Sequence, residues 1–381
     1  MKNALHVVLR EVCADGLRES ACAAPAPRAP SRVPLKLRFP RVPRARRTLV
    51  GFAWMLAWTL AWGGAILGFA HKAQAAPLTL AVSEGPVALP VLVADARGFF
   101  KDEGLDVRQI DCRSGLECAQ RLFDGQADVA TVSELVVALN SGARPGIAMF
   151  GTISASSTQI KLVAHRAAAA AAGGGLAGLR VATPPGTSAQ YFLDCWLVFN
   201  DVDPRRVKLV PRAPEQIPGA LARGEVDAAA VWEPWAAQAV AALGADAVVL
   251  PSPRVYTQHF GLVADRGTLA RREPELVGLL RALVRAQHDI ADEPQAARAL
   301  YAARRGVTPE IAGAWIAEQD YRVRLDQSLV TTMESELRWA ARAGLEGFEP
   351  GRFGARSPAL LRSIEPALLR QAAPDAVGLV R

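Results

Sequence analysis

Gly186-Thr187-Ser188 is the stretch of this sequence best suited to hold a charged ligand. A glycine lets a backbone or a guest come close. Two hydroxyls at the start of a helical run then stand beside free N–H groups and the positive end of the helix dipole. Such a place accepts a sulfonate, a carboxylate or a nitrate. It also describes an ordinary N-cap, and spacing alone favours that second reading. Ser114-Gly115 repeats the chemistry at a second helix start, and Ser133 stands at a third. Glu84 and Glu233 cut the other way, because a carboxylate disfavours a purely anionic guest. A ligand with an amine or ring N–H beside its anionic end fits them better. Glu233 reads equally as a helix N-terminal acid ahead of Pro234, and Trp232 can stack on a ligand or fill a core.

Cys112 and Cys118 bracket Arg113-Ser114-Gly115. In an oxidising compartment a disulfide there would pin that loop, worth about 2 kcal/mol for so short a closure. Two buried thiols are the alternative. Cys195 lies in an apolar helical run and reads as core. Two cysteines without a nearby histidine, in a chain with only 5 His, do not make a metal site, so neither metal nor cofactor is expected. No G-x-S-x-G, H-E-x-x-H or Walker loop is present.

These residues fall where short β-type runs end. Strands are expected at 78–82, 105–111, 128–132 and 147–152, with helices at 86–98, 116–123 and 134–139 between them. A second set has strands at 178–182, 206–210, 227–231 and 247–250, and helices at 186–198, 214–224 and 234–243. Strands alternating with helices argue for parallel βαβ units and an α/β fold. In such sheets ligands sit at the carboxyl ends of the strands. Those ends supply Ser83, Glu84, Arg113, Ser114, Gly115, Ser133 and Thr152 from the first set, and Gly186, Thr187, Ser188, Trp232 and Glu233 from the second. Six alanines and three glycines over 167–175 read as a solvated low-complexity connector. From about 271 onward the pattern is helical, with runs at 273–291, 294–304, 309–318, 328–343 and 358–371.

The two sets echo each other. Residues 122–130 (LFDGQADVA) and 221–229 (LARGEVDAA) each end a helix at a glycine, continue for two residues and open an Ala-rich strand with an aspartate. Two α/β lobes of the same local topology imply a cleft between them.

The chain has 381 residues, 51% of them hydrophobic and 21% charged, enough for about two lobes and too apolar for general disorder. Its net charge of +7 lies in the leader: residues 1–48 hold 11 Lys+Arg against 3 Asp+Glu, whereas the body from 77 holds 32 against 34. The body lacks the basic surface that nucleic-acid binding requires. Residues 49–70 carry no charge, follow Arg41, Arg44, Arg46 and Arg47, and precede the triplet Ala73-Gln74-Ala75. That order makes an export signal cleaved after Ala75 or Ala76. The apolar run is also long enough to remain as a single membrane anchor. Both readings place the body across the membrane, with a basic, disordered 1–48 behind it.

The body resembles the ABC-transporter substrate-binding proteins of the sulfonate, taurine, nitrate and thiamine-precursor group. The resemblance rests on Ala96-Arg97-Gly98-Phe99-Phe100-Lys101-Asp102-Glu103-Gly104-Leu105-Asp106-Val107, on Gly125-Gln126-Ala127-Asp128-Val129-Ala130, on Gly186-Thr187-Ser188-Ala189, and on Gly224-Glu225-Val226-Asp227-Ala228 running into Val231-Trp232-Glu233-Pro234. It implies a type II periplasmic-binding-protein fold, with lobe one at 77–157 plus 256–381, lobe two at 158–255, and crossing strands near 161–164 and 255–263. It further implies a monomeric periplasmic protein, not an enzyme, that closes on a small anionic or zwitterionic solute and delivers it to an ABC permease in the inner membrane. The alternatives are an enzyme on the same fold, desulfinase-like with Cys112 as nucleophile or a pyrimidine-precursor synthase, and a membrane-anchored sensor. A Cys112–Cys118 disulfide would remove the thiolate that the desulfinase reading needs.

Overall fold

The computed structural model describes residues 76–345 and 358–379. The leader expected over 1–48 and the apolar stretch 49–70 lie outside the described residues. Among the described residues no helix is long and apolar enough to cross a membrane.

The first set of elements runs β1 (Leu78–Ser83), α1 (Leu89–Ala96), α2 (Phe99–Asp102), β2 (Val107–Cys112), α3 (Gly115–Phe123), β3 (Val129–Ser133), α4 (Glu134–Asn140) and β4 (Ile147–Ser156). The second runs β5 (Ile160–His165), α5 (Arg166–Ala171), β6 (Arg180–Thr183), α6 (Ser188–Phe199), β7 (Lys208–Pro211), α7 (Ile217–Ala222), β8 (Ala228–Trp232), α8 (Trp235–Leu243) and β9 (Ala247–Leu250). The chain returns through β10 (Gln258–Asp265) into α9 (Arg266–Arg271), α10 (Glu273–Asp292), α11 (Pro294–Arg305) and α12 (Pro309–Ile316). It ends with β11 (Leu325–Asp326), α13 (Gln327–Arg342), α14 (Pro358–Arg362), α15 (Ala367–Ala372) and β12 (Val377–Gly378).

Two five-stranded sheets result, ordered β2-β1-β3-β10-β4 and β7-β6-β8-β5-β9. They are the same sheet built twice. In each, two parallel pairings join the first three strands, and one antiparallel strand sits fourth. The antiparallel strand in each sheet follows a chain crossing: β5 is the first strand after the chain enters the second sheet, and β10 is the strand by which it returns to the first. The echo at 122–130 and 221–229 has a shared mechanical cause. Asp128 accepts from the N–H of Thr79 at 2.8 Å, and Asp227 accepts from the N–H of Arg180 at 2.8 Å. Each aspartate thus sets the register of the neighbouring strand, while Gly125 (φ 68°) and Gly224 (φ 66°) make the left-handed turn that ends the preceding helix.

β3 is buried along its whole length and β8 along all but its last residue, which is why they read as runs of Ala, Val and Thr rather than as alternations. α10 buries Leu276, Leu279, Leu280, Leu283, Ala286 and Ile290 against the first sheet's core, the i, i+3, i+4 stripe legible in its sequence. The connector expected over 167–175 needs correction. Its first half is the helix α5, with Ala169 buried, and only the glycine run is a turn. Alanine is the strongest helix former, and one packed face was enough to fix it.

Candidate functional site

A cavity of about 40 Å³ lies at the carboxyl ends of β1, β3 and β8, at the starts of α3, α4 and α6. It is lined by Ser83, Ser114, Gly115 and Ser133 from the first sheet's connections, and by Thr187, Ser188, Trp232 and Glu233 from the second's. Eight of the twelve residues expected at strand ends are therefore brought to one place. A larger open groove of about 760 Å³ runs beside α6 and α13, away from the strand ends.

The hydroxyls are not equivalent. Ser114 caps α3, its oxygen accepting from the N–H of Glu117 at 3.2 Å, which leaves its proton free to donate. Ser133 and Thr187 precede helices without capping them through the side chain. Thr187 instead donates to the Pro184 carbonyl at 2.7 Å, so toward a guest its oxygen can only accept. Ser188 opens α6 and meets the Tyr256 hydroxyl. The first N–H groups of a helix have no partner within it, and α3, α4 and α6 all begin at this cavity.

Glu233 is 7% exposed, and its Oε2 accepts from the N–H of Ala237 at 2.9 Å. Burial pushes its carboxyl above the ordinary value, the Ala237 N–H and Lys161 pull it back, and Glu318 adds to the rise. Lys161 is itself engaged, pairing with Glu318 and donating to the Thr158 carbonyl. Glu233 therefore accepts from the first turn of the helix that follows and also lines the cavity.

Four expected residues do not line the cavity. Arg113 points outward and pairs with Glu117 at 3.1 Å and with Glu215 at 3.0 Å. Thr152 donates to the Arg324 carbonyl at 2.7 Å, tying β4 to the C-terminal segment. β4 runs on to Ser156, past the end expected at 152, so Thr152 lies inside a strand at the far edge of the sheet and not at a strand end. Gly186 gives its N–H to Gln190 at 2.8 Å and serves as a turn with φ 66°. Glu84 is held by its backbone, donating to the Cys112 carbonyl and accepting at its own carbonyl from Tyr301.

The strand-end rule missed seven lining residues: Gly85, Val87, Leu116, Val136, Gln159, Gln258 and Phe260. Gln159 and Gln258 flank the two crossing strands, and the Gln159 side-chain amide Nε2 donates to Gln258 Oε1. The signal for them was the crossing itself. Phe260 faces Gly115 so closely that a Cβ there would meet the ring at 3.1 Å.

Cys112 and Cys118 are both buried and stand as free thiols in mutual contact. Burial and the neighbouring Cys112 hold the Cys118 thiol well above its usual range. Cys195 is half-buried against the second sheet's core. Among the described residues no cluster of His, Cys, Asp and Glu could hold a metal ion.

A model of the NMT1-like family matches residues 71–304. The taurine-binding periplasmic protein of Escherichia coli is 28% identical over 220 residues, which are 56% of this chain and 66% of that relative, just under two thirds of its length. The fold matches the periplasmic aliphatic sulphonate binding protein of Escherichia coli, with a TM-score of 0.63 at 14% identity over 76% of this chain and 92% of that one. A desulfurization enzyme has the same fold, with a TM-score of 0.54 at 17% identity over 78% of this chain and 99% of that one. The architecture is the periplasmic-binding-protein fold.

Proposed function

The chain belongs to the NMT1-like family, and on that premise we propose that it is an exported solute-binding protein. It takes up a small sulfonate-type solute in the periplasm, preferring one that also carries an amine, and passes it to an ABC permease in the inner membrane. The observation that carries this is the composition of the cavity. Hydroxyls and helix starts from both sheets converge with one buried carboxylate, and no Lys, Arg, His or Cys is among the lining residues. Neutral donors at helix starts suit a weakly basic anion such as a sulfonate. Glu233 suits an ammonium at its other end. The taurine and sulphonate relatives support the same ligand class.

A cavity of about 40 Å³ has room for about three waters, so an organic solute enters only if the lobes part. In this reading residues 77–157 plus 256–381 and residues 158–255 move about the crossings marked by Gln159 and Gln258, and closure on the solute is the whole mechanism. Against the desulfinase reading, Cys112 is 1% exposed, does not line the cavity, and is engaged with Cys118 and with the Ile110 carbonyl at 3.7 Å.

A thermal-shift panel of taurine, alkanesulfonates, nitrate, aromatic acids and pyrimidines tests the proposal. A true ligand at about 100 times its Kd adds roughly 2.7 kcal/mol, which raises Tm by roughly 4 °C in a body of this size. No shift with any sulfonate contradicts it.

A further inference from the structure

Two glutamates are sealed directly behind the cavity wall. Glu134 follows the lining residue Ser133 and opens α4, Glu336 projects from α13, and each is 0% exposed. Both reach one hydroxyl. Tyr256 donates to Glu134 Oε1 at 2.7 Å, and Glu336 Oε1 lies 3.2 Å from the same phenol oxygen. A phenol has a single proton to give. With that proton on the shorter contact, the longer one is a hydrogen bond only if Glu336 is protonated and donates to the phenol oxygen. Glu134 Oε2, Glu336 Oε2 and His259 Nδ1 are all buried without a partner among the described residues.

Neither acid pairs with Lys or Arg among the described residues. The ionisable groups facing them are Tyr256 ahead of β10, His259 on β10 with Nδ1 3.9 Å from Glu134, and Tyr191 and Cys195 on α6. Two carboxylate charges this close in a dry interior are far costlier than one carboxylate and one carboxylic acid. Burial, reinforced by Glu134, holds Glu336 well above the ordinary carboxyl range.

The pair is wired to the cavity from both sheets. Its Glu134 end begins the helix after Ser133, and its shared Tyr256 hydroxyl meets Ser188 at the start of α6. A second negative charge here would stand behind the helix starts that face an anionic guest and oppose their field. We propose that Glu134 and Glu336 share one proton, and that the protein must hold it to keep an anion in the cavity. The inference rests on the sulfonate reading for its ligand, though not for the proton.

Infrared spectra of the purified chain and of Glu336→Gln, with calorimetric titrations by ethanesulfonate between about pH 6 and about pH 10, test it. Ethanesulfonate has no titrating amine. The wild type should show the carbonyl band of a buried carboxylic acid at neutral pH, and Glu336→Gln should lack it. Once the band titrates away, wild-type affinity should fall roughly tenfold per pH unit, while Glu336→Gln stays flat. Glu134→Gln should give the same flat profile, and it serves if Glu336→Gln fails to fold. Absence of the band, as when His259 holds the proton instead, overturns the proposal. So does a parallel fall in wild type and both variants. If no sulfonate binds at any pH, the ligand reading fails, and the band alone decides whether the pair holds its proton.

Discussion

Arg113 Nη1 stands 3.0 Å from Glu215 Oε1, and this ion pair joins the loop after β2 to the turn before α7. It is a contact between the two sheets' connections, made one residue from the lining residue Ser114. Both side chains are partly exposed, so the pair is worth well under 1 kcal/mol in isolation. Under the proposed closure its position gives it a role that its energy does not, because the pair would form only when the two connections approach.

Removing either partner should therefore weaken ligand binding modestly while leaving the fold alone. Arg113→Ala and Glu215→Gln should each raise Kd roughly two- to fourfold at low salt, mostly through faster release. A double-mutant cycle should show that the losses do not add, and about 0.5 M salt should erase them. Additive losses, or no salt effect, would show that the pair does not span the closure.

Gly115 is the tighter of the two glycines in the wall. A Cβ there would meet the Phe260 ring at 3.1 Å and the Val132 backbone at 3.3 Å, whereas at Gly85 the nearest atom is Val87 Cγ2 at 3.5 Å. Gly115→Ala should cost roughly 1–3 kcal/mol by overpacking and impair binding, while Gly85→Ala should be tolerated. Thermal unfolding of the two variants checks this; equal midpoints would contradict it.

Glu233 predicts a pH dependence of definite sign. Burial raises its carboxyl in the folded protein above the ordinary value of 4.5. The stability it contributes is complete below that ordinary value and is lost as pH rises through the raised one. Glu233→Gln, which keeps an acceptor for the Ala237 N–H, should remove that loss and give a flatter plot of Tm against pH. The same variant should reduce the preference for taurine over ethanesulfonate roughly tenfold, the worth of a charge-assisted hydrogen bond. An unchanged preference would place the amine elsewhere.

Cys112 and Cys118, buried at 1% and 0%, should resist alkylation in the folded protein at neutral pH. Peptide mapping after labelling, with and without prior unfolding, separates free thiols from a disulfide. Cys112→Ser should leave ligand binding unchanged. Rapid native-state labelling of Cys112 with loss of function would favour the enzymatic alternative.

Much of the architecture was legible in the sequence because the two sheets repeat one local plan. The Gly-x-x-Asp echo turned out to be a register device, with Asp128 and Asp227 each holding a neighbouring strand. Strand ends located most of the cavity because parallel strands aim their carboxyl ends at it. The rule failed where local sequence says nothing about sheet order. Thr152 lies inside β4, which runs on to Ser156 at the sheet edge, and Gln159 and Gln258 meet only because the chain crosses between the sheets beside each of them. Glu134 and Glu336 are 202 positions apart, and nothing in either segment announces the tyrosine that joins them.

The measurement that bears most directly on the account is calorimetric titration of taurine into the purified chain and into the double variant Ser114→Ala/Ser188→Ala. Saturable binding at one site, weakened roughly tenfold or more by the two lost hydroxyls with little change in Tm, is the predicted result. Binding that ignores both substitutions, or no binding of any sulfonate, would contradict the claim that this cavity captures the solute.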